Sequence, residues 1–171
     1  MKQIIDNLLI DIIKFDNSQK ANLFLNTQLE LRVLDLEETY GDNYYCFILS
    51  DSLTLERRHV ITFFADSEDD INLLFWYKYK ILIINIGNEV YLIKNFSERI
   101  GHYSIQTPLV GLSIIDDDCL LILEECSSTL ISPKGDIIRH QNFSFIENFY
   151  LRDNTLILKT DDGEVHFSLE K

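Results

Sequence analysis

Residues 119–139 read Cys119-Leu120-Leu121-Ile122-Leu123-Glu124-Glu125-Cys126-Ser127-Ser128-Thr129-Leu130-Ile131-Ser132-Pro133-Lys134-Gly135-Asp136-Ile137-Ile138-Arg139. Three apolar runs follow one another with short polar gaps between them. Pro133 presets φ and Gly135 accepts a positive φ, so Ser132–Gly135 is a turn. Short apolar runs separated by turns at this spacing indicate antiparallel strands.

The pattern recurs at about 37 residues from Tyr44 onward. Its first strand reads Tyr44-Tyr45-Cys46-Phe47, then Ile81-Leu82-Ile83-Ile84, Cys119-Leu120-Leu121-Ile122 and Thr155-Leu156-Ile157-Leu158. A second strand is expected after each at Leu53/Leu55, Val90/Leu92, Thr129-Leu130-Ile131 and Val165/Phe167. Ser50-Asp51-Ser52, Gly87-Asn88 and Asp161-Asp162-Gly163 supply turn chemistry between them. In the third unit, strands are expected near 119–124, 128–132, 136–141 and 144–151. Units of this kind resemble the four-stranded blades of a β-propeller, and Ile131–Arg139 resembles the strand–turn–strand inside a blade. The resemblance implies an all-β fold of antiparallel meanders, about three and a half units over 44–171, as a small or partial propeller. A β-sandwich is the alternative.

The N-terminal part reads differently. Ile4, Ile5, Leu8, Leu9, Ile12 and Ile13 fall at helical spacing, with Asp6, Asn7, Asp11 and Lys14 on the other face. This predicts one amphipathic helix over 2–15, docked through Ile5, Leu8, Leu9 and Ile12, and ended by Asp16-Asn17-Ser18. Leu29, Leu31 and Val33 alternate with Glu30 and Arg32, so 28–36 is expected to be a half-buried strand, free to complete the last unit. The whole chain, 1–171, is read as a single domain.

Fifteen basic and 28 acidic residues give a net charge of −13. That excludes nucleic acid and anionic membrane as natural partners and suits a basic protein. Cys46, Cys119 and Cys126 cannot all pair within the chain and are read as free thiols in apolar settings, which fits a cytoplasmic protein. Residues 1–16 are expected not to be a signal peptide, because Asp6 and Asp11 interrupt the apolar stretch. Trp76, beside Phe75 and Tyr77, is read as core.

No enzyme motif occurs, and neither a cofactor nor a metal is expected. His59, His102, His140 and His166 form no ligand-type pairs, and His102 and His140 share one repeat position, which suggests a common structural role. A cavity joining either of them to carboxylates would favour an enzyme with a dispersed site. Asp116-Asp117-Asp118 lacks the spacing of a calcium loop and is expected to connect two units as a solvated loop.

The remaining signal is collective. In a meander, alternate turns share one sheet edge. On that edge fall Asp51, Asp66, Glu68, Asp69, Asp70, Glu89, Glu124, Glu125, Asp161, Asp162 and Glu164, with no Lys or Arg. The opposite edge is mixed. The candidate partner-binding residues are Asp66, Glu68, Asp69, Asp70, Glu124, Glu125, Asp161 and Asp162, since a one-sided acidic rim speeds capture of a basic protein.

In size, acidity and lack of catalytic motifs the chain resembles the immunity proteins of bacterial toxin systems of the contact-dependent growth inhibition type. The resemblance implies a bacterial, cytoplasmic inhibitor that neutralises a cognate toxin, a basic nuclease domain, by covering its active site. A general interaction or scaffold module would use the same surface.

Overall fold

The computed structural model describes residues 2–5, 8–27, 31–37, 39–153 and 155–169. It is all-β, with one α-helix among the described residues. The strands form four sheets rather than the two of a sandwich. The first contains β1 (Lys2–Ile5), β2 (Leu8–Phe15), β3 (Arg32–Asp35), β4 (Asn43–Asp51) and β5 (Arg57–Ala65), in the order β1-β2-β4-β5-β3. The second is the meander of β6 (Ile71–Trp76), β7 (Ile81–Ile86), β8 (Glu89–Lys94) and β9 (Glu98–Ser104). The third is the meander of β10 (Leu109–Ile115), β11 (Cys119–Glu124), β12 (Ser127–Ile131) and β13 (Ile137–Asn142). The fourth has three strands, β14 (Ile146–Arg152), β15 (Thr155–Thr160) and β16 (Gly163–Ser168). Successive antiparallel meanders are the blade-like architecture that the repeat predicts.

The chain divides into two compact units, Met1–Arg99 and Ile100–Lys171. Each has its own core. In the first, Ile10, Ile12, Tyr45, Phe47, Ile61, Phe63, Ile84 and Tyr91 pack together. In the second, Leu121, Leu123, Leu130, Leu156, Leu158 and Phe167 do so. Cys46 and Cys119 are buried free thiols and Cys126 is half-buried. Burial, with Asp35 adding to it, pushes the Cys46 thiol up to about 12. Trp76 is fully buried, as the sequence predicts, with its indole edge-on to Tyr79 at 5.3 Å.

The N-terminal helix is a correction. Residues 2–5 and 8–15 are the hairpin β1–β2, with Ile5 opposite Leu8. Asp6 and Asn7 between them lie outside the described residues. β2 is covered on both faces: Leu8, Ile10 and Ile12 join one core, and Ile13 and Phe15 join a second cluster. A strand buried on both sides is apolar at nearly every position, so a helical period fits it by accident. Docking through Ile5, Leu8, Leu9 and Ile12 is therefore replaced by strand pairing, and Leu9 lies opposite Ser50 of β4.

The helix, α1 (Ser18–Asn26), begins where one was expected to end. Asn17 is its N-cap, with a side-chain oxygen accepting the Lys20 N–H at 3.0 Å. Asx residues at a helix start satisfy amides that have no partner within the helix, so the same residues serve as start and stop signals. Ala21, Phe24 and Leu25 bury α1 against Tyr44, Cys46, Ile48 and Val60.

The strand expected at 28–36 is β3, shorter at 32–35, and residues 28–30 lie outside the described ones. It does not complete the last unit. It pairs parallel to β5, with Arg32 opposite His59 and Asp35 opposite Thr62. Leu34 and Leu36 face the core while Val33 is 52% exposed, one residue out of step with the expected face.

The repeat is out of phase by one strand. Each expected first strand is the second strand of its meander or three-stranded sheet, or the central strand of the first sheet. Segment 144–151, expected to finish the third unit, is β14 and opens the fourth sheet. Asp116-Asp117-Asp118 is accordingly the β10–β11 hairpin turn, with Asp116 and Asp117 at φ 48° and 54°, rather than a link between units. Leu53 and Leu55 form no strand. They are exposed in the β4–β5 turn, where the Asp51 carboxylate accepts the Leu53 and Thr54 amides at 3.0 and 2.9 Å. The second strand there is β5.

Candidate functional site

In the first unit the β5–β6 connection carries Asp66, Glu68, Asp69 and Asp70. Residues 68–70 form one 3-10 turn closed by a capping box: the Ser67 hydroxyl accepts the Asp69 amide and the Asp70 carboxylate accepts the Ser67 amide. The Asp66 carboxylate accepts the Asp42 N–H at 3.1 Å, and the Asn43 side chain donates to the Asp66 carbonyl at 2.8 Å. The Gly87 amide donates to the Asp70 carbonyl at 3.1 Å, which draws the β7–β8 turn beside this connection.

Between them lies a cleft of about 410 Å³ whose walls include Asp66, Asp70, Asn88 and Glu89, with Thr39 and Tyr40 opposite. Among the described residues, no Lys or Arg lines it. Tyr40 is 82% exposed. Its place is set by Gly41, at φ +151°, where an added Cβ would come within 2.3 Å of the Ala65 carbonyl carbon. Beneath the acidic connection the buried Tyr45 hydroxyl has no hydrogen-bond partner among the described residues. Burial first, then the negative charges of Glu68, Asp70 and Asp66, push its phenol up.

The second unit holds the other four predicted residues, and they do not form one surface feature. Glu124 is 5% exposed. Its Oε2 accepts the Gln106 and Thr107 amides at 2.7 and 2.9 Å, and its Oε1 accepts the Ser127 hydroxyl at 2.8 Å. It is thus a buried carboxylate that folds the β9–β10 loop, not a rim side chain. The half-buried Glu125 donates its amide to the Pro108 carbonyl at 3.0 Å. Asp161 and Asp162 are exposed in the β15–β16 turn.

A second cavity, of about 380 Å³, joins His102 and His140 to Glu124. Both histidines lie on the last strand of a meander, His102 on β9 and His140 on β13. His140 is held at both ring nitrogens, with Thr129 Oγ1 2.9 Å from Nδ1 and Asn142 Oδ1 3.0 Å from Nε2. Among the described residues, no group of three or more His, Cys, Asp or Glu side chains could hold a metal ion.

The sequence pattern does not single out Tyr40, Gln106 and Thr129. The only local signal was an aromatic before a glycine in the polar 37–43 segment. The hydroxyl and amide residues carry no pattern of their own.

Fold and clefts together define an all-β protein of antiparallel meanders with a cleft in each of its two units. No protein-family model matches the chain, and no curated protein does. Among solved structures the chain is similar to BamB from Moraxella catarrhalis, with a TM-score of 0.42 and 15% identity. The match covers 75% of this chain and 40% of that one, so the chain spans less than two thirds of that protein. No helix among the described residues is long and apolar enough to cross a membrane.

Proposed function

We propose that the chain is a binding module that takes a Lys- or Arg-bearing segment of a basic partner protein into the cleft of the first unit. The observation that carries this reading is a cleft walled by Asp66, Asp70 and Glu89, with an exposed tyrosine and, among the described residues, no basic side chain in its lining. Carboxylates converging on one concavity focus the field and raise the capture rate of a cation. Tyr40 offers a flat apolar and cation-binding face at the rim. Glu68 and Asp69 extend the charge on the same connection, and Asp161, Asp162 and Glu125 add to the acidity of the second unit. The finer reading is an immunity protein that covers the active site of a basic toxin nuclease, its carboxylates standing where nucleic-acid phosphates would bind. The acidity of the whole chain, −13, supports it. A scaffold module would bind a resident cell component instead, and one basic protein encoded beside this chain separates the two. The cavity that joins His102 and His140 to Glu124 is the feature that favours the third reading, an enzyme with a dispersed site.

The test is affinity purification from the native cell, followed by binding kinetics against the basic protein recovered. Asp66→Asn/Asp70→Asn/Glu89→Gln keeps acceptors for the Asp42 and Ser67 amides while removing the charge. Association should slow by about tenfold at low salt and lose most of its salt dependence. Unchanged association rate and salt slope overturn the cleft as the interface.

A further inference from the structure

We propose that the cavity of the second unit is a receptor for an alkyl cation, a guanidinium or ammonium group on a short aliphatic stem. The site is distinct from the acidic cleft and does not depend on it.

The inference starts from the Glu124 carboxylate. It is almost wholly buried, forms a wall of the cavity, and has no Lys or Arg beside it there among the described residues. A buried carboxylate is costly unless charge and lone pairs are both met. The lone pairs are met unevenly. Oε2 takes two backbone amides and the Thr107 hydroxyl at 3.5 Å, whereas Oε1 takes the Ser127 hydroxyl alone. A carboxylate oxygen has room for a second donor, so Oε1 retains acceptor capacity.

The other walls fit the same ligand. Ile105, Ile122 and Ile137 give apolar surface for a stem. The volume of about 380 Å³ falls in the range of small-molecule sites. His140 is held at both ring nitrogens by uncharged partners, Thr129 Oγ1 at Nδ1 and Asn142 Oδ1 at Nε2. An anion would meet the Glu124 charge unfavourably, and a neutral ligand would leave it uncompensated. A cation neutralises it, and its N–H groups form charge-assisted bonds to Oε1.

The experiment is a titration of the full chain by NMR, reading the methyl signals of Ile105, Ile122 and Ile137 and the imidazole signals of His102 and His140. The probes are n-butylguanidinium, its neutral isostere n-butylurea, and the blocked tripeptide acetyl-Gly-Arg-Gly-amide. Saturable shifts of these signals with butylguanidinium, at least about tenfold weaker with butylurea, are expected. Tighter binding of the tripeptide marks a protein side chain as the natural ligand, and weaker binding marks a free small cation. Glu124→Gln, which keeps an acceptor for the loop amides, should weaken butylguanidinium at least about tenfold. Equal binding of the urea, shifts confined to other residues, or full affinity in a folded Glu124→Gln overturns the proposal. Should that variant not fold, the guanidinium-to-urea ratio in the unaltered protein decides alone. The Asp66→Asn/Asp70→Asn/Glu89→Gln variant should bind butylguanidinium normally at this cavity, which separates the two sites.

Discussion

Phe63→Ala should destabilise the first unit by about 3–5 kcal/mol, the range for emptying a buried aromatic site. Phe63 is fully buried on β5. Its ring stacks on Tyr45 at 5.7 Å and meets Phe47 edge-on at 4.7 Å. Each aromatic pair adds about 0.5–1.5 kcal/mol beyond the area it buries, so truncation removes two such contacts and leaves a cavity. The neighbours cannot refill it, because Tyr45 and Phe47 are themselves fixed on β4 by pairing on both sides. A domain of ordinary stability has only about 5–15 kcal/mol in hand. Urea denaturation read by the fluorescence of Trp76, the single tryptophan and a residue of this unit, measures the loss. Val33→Ala, on an exposed face of the edge strand β3, should stay within about 0.5 kcal/mol. Equal effects of the two would contradict the packing described.

Glu124→Ala should cost the second unit about 3 kcal/mol or more, while Glu124→Gln costs about 1 kcal/mol. Alanine strands the Gln106 and Thr107 amides and the Ser127 hydroxyl together, and each unsatisfied buried donor costs about 1–3 kcal/mol. Glutamine presents its carbonyl oxygen to the two amides and puts its NH2 group where Oε1 was, so the charge assistance is lost and the Ser127 hydroxyl turns to accept instead of donate. Hydrogen exchange at the Gln106 and Thr107 amides is the direct measurement. Protection should collapse in the alanine variant and persist in the glutamine one. Equal protection in both would mean that the carboxylate does not organise the loop. This prediction is independent of any ligand, since it concerns the bonds the carboxylate makes within its own fold.

What the sequence by itself determined is the set of strands whose interiors are apolar on both faces. β7, β11 and β15 are such runs, bounded by Gly87-Asn88, Glu125-Cys126 and Asp161-Asp162, and their burial follows from composition and turn chemistry alone. The burial of Trp76 was equally legible. The meander class follows too, because short turns between such runs leave antiparallel pairing as the available geometry.

Tertiary structure alone decided which neighbour each strand takes. Apolar periodicity reports that a face is covered, not by what. β14 therefore reads the same whether it ends the third sheet or opens the fourth, and β3 reads the same whether it lies beside β5 or β16. The same limit produced the helix expected at 2–15: β2 is covered by two different clusters, so its apolar positions follow no strand period. It also hid Glu124. Next to Glu125 in the sequence it looks like a solvated turn, but Gln106, Thr107 and Ser127 supply the donors that let a carboxylate be buried. Such non-local donors leave no mark in the local pattern. The acidic cleft is of the same kind, since Asp66, Asp70 and Glu89 line one concavity through the pairing of β6 with β7, which the Gly87 amide bond to the Asp70 carbonyl extends.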